Sequence, residues 1–354
     1  MNNDLTRALQ AKVKEALERK QPLAIIGGGS KNFLQSAKSD AEFNFASHRG
    51  VLDYEPGELF ITARAGTPLT EIEALLSSHN QMLASEPPHF SHGENHATLG
   101  GTIACGFSGP RRPFAGSLRD HVLGVRILNG EGELLQFGGQ VMKNVAGFDV
   151  SRLMAGARGT LGALLEITLK VLPKPEFEKT LLFECPLVSA PKRMSDFAHC
   201  SLPLSALAWF DGYIFLRLEG TETTIRTAHT QIGGEVAAKS EDFWQMLREQ
   251  THPFFQHHQP LWRLSLPSAS NLLIPEKEVF IDWRGSLCWW HTDKSAEEVE
   301  TMAHKQGGYG YLFRDATPVM SPRPPANLLK IHQSLKKSFD PHGIFNPGLM
   351  VGSI

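Results

Sequence analysis

Glycine and other small residues crowd one stretch of this chain, residues 87–170, in three tracts at 98–109, 138–147 and 156–162. Short apolar runs separate the tracts. Side-chain-poor segments at this density are costly to order, and they earn their place where main chain must lie close to something. A long, thin, phosphate-bearing ligand meets that demand. A fourth tract, Gly27-Gly28-Gly29-Ser30, follows the apolar run 22–26 at once. A glycine turn after a strand exposes N–H groups able to cradle a pyrophosphate. It is neither a Walker loop nor a G-x-G-x-x-G fingerprint, because Asn32 stands where the third glycine would fall. On its own it is equally an ordinary tight turn.

The remainder reads as α/β or α+β, with strands and helices interspersed. Helical spacing of Leu5, Leu9, Val13, Ala16 and Leu17 marks a first helix over 4–20. Strands are expected over 50–54 and 59–64, then a helix from Pro68 to Ser78 with Thr67 as its cap. Strands 122–128 and 133–137 bracket the turn Asn129-Gly130-Glu131-Gly132. Residues 149–154 read as a short helix. Residues 164–172 alternate as a half-buried strand, and Pro173 and Pro175 end it. That places a domain boundary near 175. Beyond it come a hairpin at 206–218, helices over 221–232, 241–249 and 296–305, and strands over 261–266, 279–283, 287–291 and 309–314. All six tryptophans fall in this second half. They read as core, or as an interface between subunits, rather than a cofactor box. Residues 318–325 form a loop and 327–339 a final helix.

His89, His92 and His96 lie close together, but prolines and glycine around them and the lack of an HExxH pattern argue against a metal site. The four cysteines, Cys105, Cys185, Cys200 and Cys288, are too scattered for an iron–sulfur cradle and read as reduced, mostly buried thiols. Arg111, Arg112 and Arg119 either serve anionic groups or stand in solvent. A formal net charge of −2 gives no reason to expect nucleic acid. The N-terminal segment lacks the apolar core of a signal peptide, and no run is long enough to span a bilayer, so a cytoplasmic protein is expected.

Taken together, Gly27 to Ser30, then Thr98-Leu99-Gly100-Gly101, then Gly156-x-x-Gly159-Thr160-Leu161-Gly162 running into Glu166-Ile167-Thr168-Leu169-Lys170, resemble the FAD-binding domain of the vanillyl-alcohol-oxidase/p-cresol-methylhydroxylase (PCMH) flavoproteins. The ending Asp340-Pro341 to Ile344-Phe345-Asn346-Pro347-Gly348 resembles that of the D-lactate and glycolate oxidising branch. GPRRPFAGSLRDHVLGVRILNGEG together with MKNVAGFDVSRLMAG is similar to the E subunits of bacterial glycolate oxidases.

The resemblance implies a two-subdomain PCMH-type FAD-binding domain over 1–175. An antiparallel-sheet cap domain would cover 176–326, and a C-terminal helix and tail over 327–354 would return to the FAD domain. It implies non-covalent FAD, since the 27–30 loop has no histidine to tether it. Gly27, Gly28, Gly29 and Ser30 would hold the pyrophosphate. Thr98, Gly100, Gly101 and Thr102 would run beside the flavin and its ribityl chain. Gly159, Gly162 and Ile167 would close the adenine end, and Asn346 would approach the isoalloxazine. The implied function is FAD-binding subunit of a glycolate oxidase complex. Its partners would be a larger catalytic flavoprotein and an iron–sulfur subunit, with any membrane contact peripheral and made through them. The metal-binding His-x-Gly-Asp-Gly-Asn-x-x-His stretch of full dehydrogenases is missing from the short cap, so catalytic residues stay unassigned. Arg217, Arg263, His291 and Arg314 would be the clamp or base of a self-sufficient 2-hydroxy-acid dehydrogenase. A docking subunit with a degenerate flavin fold is the third reading.

Overall fold

The computed structural model describes residues 3–34, 39, 41–139, 149–238, 240–268, 278–315 and 326–349. The chain separates into two compact units. One comprises Met1–Phe107, Ser117–Pro173 and Met320–Ile354; the other comprises Ser108–Gly116 and Lys174–Val319.

In the first unit, helix α1 (Thr6–Arg19) buries Leu9, Val13 and Ala16 at the spacing read from the sequence. β1 (Ala24–Ile26) pairs in parallel with β2 (Glu42–Asn44). β3 (Val51–Glu55), β4 (Phe60–Arg64), β6 (Val122–Leu128), β7 (Leu134–Gly138) and β8 (Ala163–Lys170) form an antiparallel sheet of order β3-β4-β8-β6-β7. Between them β5 (Gln81–Met82) pairs with β9 (Leu172–Pro173). β8 is central, so its second face is covered more fully than plain alternation implies. Its polar side chains are matched across the sheet: Thr168 Oγ1 meets Thr62 Oγ1 at 2.9 Å, and Glu166 pairs with Arg126 at 2.8 Å.

Helix α2 (Leu69–Ser78) starts one residue later than expected, with Pro68 as its N-cap. Thr67 does not cap it; its hydroxyl accepts from Gly50 N–H at 2.9 Å. Helix α3 (Leu99–Cys105) lies in the first small-residue tract, where no helix was expected. Thr98 caps it by accepting from Gly101 N–H, and Gly106 in the left-handed region closes it.

The tail returns to this unit. Helix Ala326–Phe339 packs Leu335 and Phe339 against the core. Ile344 accepts from Leu23 N–H at 2.7 Å and Asn346 N–H donates back to Leu23 at 2.9 Å, so the tail runs along the free edge of the strand leading into the glycine turn. A buried ion pair fixes this arrangement. Lys336 Nζ meets Asp340 Oδ2 and also donates to the carbonyls of Thr160 and Phe345, while Asp340 accepts from Ile344 and Phe345 N–H.

The second unit is built on β10 (Phe177–Glu184), β11 (Leu204–Phe210), β12 (Tyr213–Gly220), β13 (Glu235–Val236), β14 (Leu261–Ser265), β15 (Val279–Asp282), β16 (Leu287–His291) and β17 (Tyr309–Arg314). Their order is β13-β10-β12-β11-β15-β16-β14-β17. All six tryptophans are buried in this unit, which answers the sequence question in favour of core. The excursion Ser108–Gly116 is held within the same unit. Arg111 forms a buried, bidentate ion pair with Glu219, Arg112 stacks 4.2 Å over Trp283, and the Trp283 indole N–H donates to Gly109 O at 3.0 Å. These two arginines are therefore spent on packing, and Arg119 alone of the three is exposed. Of the cysteines, Cys185 and Cys288 are buried, Cys105 is half-buried and Cys200 is exposed.

Candidate FAD site

A cleft of about 560 Å³ opens in the first unit, and the tracts at 27–30, 98–109 and 156–162 converge on it. Gly27, Gly28, Gly29 and Ser30 line it from the turn after β1. Thr98, Gly100 and Gly101 line it from the start of α3. Gly159 and Gly162 contribute from the turn before β8, and Asn346 from the tail. Two expected residues do not. Thr102 is buried on α3 away from the cleft, and Ile167 is fully buried in the centre of β8. Ile167 falls on the core face of a central strand, so the sheet claims it. The tract 138–147 lies almost wholly outside the described residues.

The glycines around the cleft do different jobs. A Cβ on Gly28 would sit 2.1 Å from His96 O, and one on Gly27 would sit 2.7 Å from Thr98 Oγ1. Gly29 has φ +78° and a Cβ there would meet Asn95 Oδ1 at 2.5 Å. The turn is thus glycine because segment 95–98 is pressed against it, with His96 N–H bonded to Gly28 O at 2.8 Å. That packing turns the N–H groups of Gly27, Gly28 and Gly29 away from protein acceptors: none finds one among the described residues. Consecutive unpaired donors lining a cleft form an anion cradle. At α3 the opposite holds. Leu99, Gly100 and Gly101 N–H already donate to Thr67 O, Ala65 O and Thr98 Oγ1. This wall offers smooth surface whose helix N–H groups are already spent.

Sequence reasoning overlooked the charged and apolar lining. Lys31, Arg158, Glu42 and Cys105 reach the cleft, as do Ile26, Phe45 and Leu164. Lys31 follows the glycine turn directly and Arg158 sits inside the Gly156-x-x-Gly159 motif, so both carried a positional signal. Burial pushes the Cys105 thiol up from its ordinary value, while Lys31 and Arg158 pull it down. Asn346 is a clamp: its Oδ1 accepts from Ile25 N–H at 2.7 Å and its Nδ2 donates to Arg158 O at 2.6 Å.

The three histidines do not converge. His89 pairs with Glu73, His92 bonds within its own turn, and His96 flanks the cleft. Among the described residues no three His, Cys, Asp or Glu side chains are grouped to hold a metal. The four candidate clamp or base residues of the second unit are engaged within it. Arg217 donates to Ser205 Oγ at 2.8 Å and lies over Trp244, and Arg263 is surrounded by Trp283, Trp289 and Tyr311. His291 contacts the carbonyls of Gln259 and Phe254, and Arg314 donates to Gln250.

A half-buried cradle of amides without acceptors among the described residues, beside a small-residue wall in an α+β frame, suits a phosphate-bearing dinucleotide, and residues 5–138 match the family model described as FAD binding domain. Glycolate oxidase subunit GlcE of Escherichia coli is 45% identical over 351 residues, 99% of each chain, and this chain belongs to that family. Glycolate oxidase subunit GlcD of Bacillus subtilis is 33% identical over 205 residues, 58% of this chain and 40% of that one. D-2-hydroxyglutarate dehydrogenase of Xanthomonas citri is 28% identical over 59% of this chain and 45% of its own. A solved alkyldihydroxyacetonephosphate synthase superposes with a TM-score of 0.67 at 16% identity, covering 96% of this chain and 75% of that one, which shows a shared fold.

Proposed function

We propose that this chain binds FAD non-covalently in the cleft and works as the FAD-binding subunit of a glycolate oxidase complex, taking part in the oxidation of glycolate to glyoxylate. The observation that carries this is the row of amides at Gly27, Gly28 and Gly29, without acceptors among the described residues, facing a cleft shared by the tracts at 98–109 and 156–162. Family membership over nearly the whole chain supports the complex. When bound, FAD would supply the acceptor for the hydride leaving C2 of a 2-hydroxy acid. The chain's part is to hold the pyrophosphate at residues 27–30, to offer the flat wall of Thr98, Gly100 and Gly101 to the rest of the cofactor, and to brace the floor with Asn346.

Electrons would pass to a larger flavoprotein subunit and an iron–sulfur subunit. Engagement of Arg217, Arg263, His291 and Arg314 in internal contacts supports a shared site over a self-sufficient one. No helix among the described residues is long and apolar enough to cross a membrane, in keeping with a cytoplasmic complex, peripheral to the membrane at most. The test is direct. Purified chain should show flavin absorbance, or gain it on reconstitution, and acid precipitation should release all of the flavin. With partner subunits it should reduce a dye at the expense of glycolate, and alone it should not. A colourless chain that cannot be reconstituted sinks the cofactor assignment, and turnover by the isolated chain sinks the subunit reading.

A further inference from the structure

The cleft carries two cations from separate parts of the chain. Lys31 directly follows the glycine turn; its ammonium lies 3.3 Å from Ser30 Oγ and 3.3 Å from His89 O. Arg158 comes from the turn before β8 and lines the same cleft. Both pull against the burial that raises the Cys105 thiol, and all three residues line the same cleft. Glu42 is the one carboxylate among the described lining residues.

Arg158 is also held in an unfavourable backbone state. Its φ is +51°, in the left-handed region, although it is not glycine. The conformation is pinned from both sides: Arg158 N–H donates to Ala104 O at 2.8 Å, and Arg158 O accepts from Asn346 Nδ2 at 2.6 Å. Asn346 is itself left-handed, at φ +47°. Asparagine tolerates this region, so the cost falls on Arg158, a left-handed non-glycine residue braced by its neighbours in the lining of a cleft.

We propose that Lys31 and Arg158 are the cationic contacts for the pyrophosphate of the bound dinucleotide, and that Asn346 is a positioning residue that fixes Arg158 for this task. This rests on the FAD reading above. The 27–29 amides orient the two phosphates, and the two side chains neutralise them. Asn346 then acts on the cofactor through Arg158.

Fluorescence-quench titration of apo-protein with FAD at several salt concentrations tests this without any turnover. Lys31→Met and Arg158→Gly should each weaken FAD binding by about tenfold, the loss expected for one charge-assisted contact. Each should also flatten the salt dependence. Glycine relieves the left-handed strain, so Arg158→Gly should keep or raise the melting temperature of the apo-protein. Loss of affinity in that variant therefore cannot be ascribed to misfolding. Asn346→Gly, which tolerates the φ of +47° and removes the donor to Arg158 without adding a charge, should weaken binding in the wild-type background and add little to Arg158→Gly. Unchanged affinity and salt slope in both cation variants overturns the assignment while leaving the FAD reading intact. Additive loss in the double variant overturns the role of Asn346. A wild-type chain that binds no FAD overturns the cofactor reading, and this assignment with it.

Discussion

Gly101 separates cofactor space from packing space better than any other glycine of the cleft. A Cβ at Gly100 would meet Ala65 Cβ at 2.7 Å, and one at Gly159 would meet Asn346 Nδ2 at 2.7 Å on a φ of +70°, so substitution there damages fold and site together. A Cβ at Gly101 meets only Thr98 Oγ1, at 3.2 Å. Gly101→Leu asks only the Thr98 hydroxyl to shift by a few tenths of an ångström, so it should cost the apo-protein less stability than the same change at Gly100 or Gly159. The leucine occupies the cleft wall, and FAD affinity should drop by more than about tenfold. Equal FAD affinity in the variant would remove this wall from the site. Cys105 gives a second residue-scale readout. It lines the same cleft, and its thiol is raised by burial. In a Cys200→Ser background, which removes the exposed thiol, iodoacetamide should label Cys105 slowly and faster with rising pH. FAD should block that labelling; a rate indifferent to FAD would place Cys105 outside the cofactor's footprint.

Among the elements, the C-terminal tail has the most leverage on the cleft. Lys336 and Asp340 are both nearly fully buried, and their ion pair is satisfied further by Thr160 O, Phe345 O and two main-chain N–H groups. Removing one partner of such a pair leaves a buried charge uncompensated, at about 3–5 kcal/mol. Asp340→Ala should thus destabilise the protein by that amount in urea unfolding and weaken FAD binding as well, since Asn346 loses its anchorage. A loss below about 1 kcal/mol would mean that the tail is held by something else. The ending was recognisable as a pattern, but its job as an added edge beside β1 was not, because hydrogen bonds between residues more than 300 apart leave no local periodicity. Helix α3 was hidden for a related reason. Its sequence, LGGTIAC, has two glycines in the first turn and weak propensity; the carbonyls of Thr67 and Ala65, brought there by β4 and its following turn, take the first N–H groups. The glycine tracts themselves were legible because close approach demands glycine whatever the topology. Lys31 and Arg158 were not, since a cation in a loop is solvated far more often than it is functional. Arg111 and Arg112 show the same limit from the other side: partners in β12 and at Trp283 absorb them.

Across the whole molecule, three histidines tie stability to pH. Burial holds His48 in the first unit, and His252 and His291 in the second, below the ordinary value of 6.5. For two of them the geometry shows why charging is unwelcome. His48 Nδ1 accepts from Leu5 N–H at 3.0 Å and His252 Nδ1 accepts from Phe254 N–H at 3.2 Å, and a protonated ring would turn a donor toward each donor. The unfolded chain takes up protons near 6.5 more readily than the folded one. The stabilisation is therefore complete above that pH and is lost as pH falls through and below it. Carboxylates act later: Asp4, bonded to Thr6 N–H and paired with Arg64, is held down to about 2 and stays ionised through this window. Melting temperature should consequently be flat between pH 8 and 7 and fall progressively from about 6.5 to 5. His48→Asn, whose side-chain oxygen can take the Leu5 N–H without titrating, should make that fall shallower. A melting temperature that does not change between pH 8 and 5, or a His48→Asn profile parallel to wild type, would show that acid sensitivity resides elsewhere.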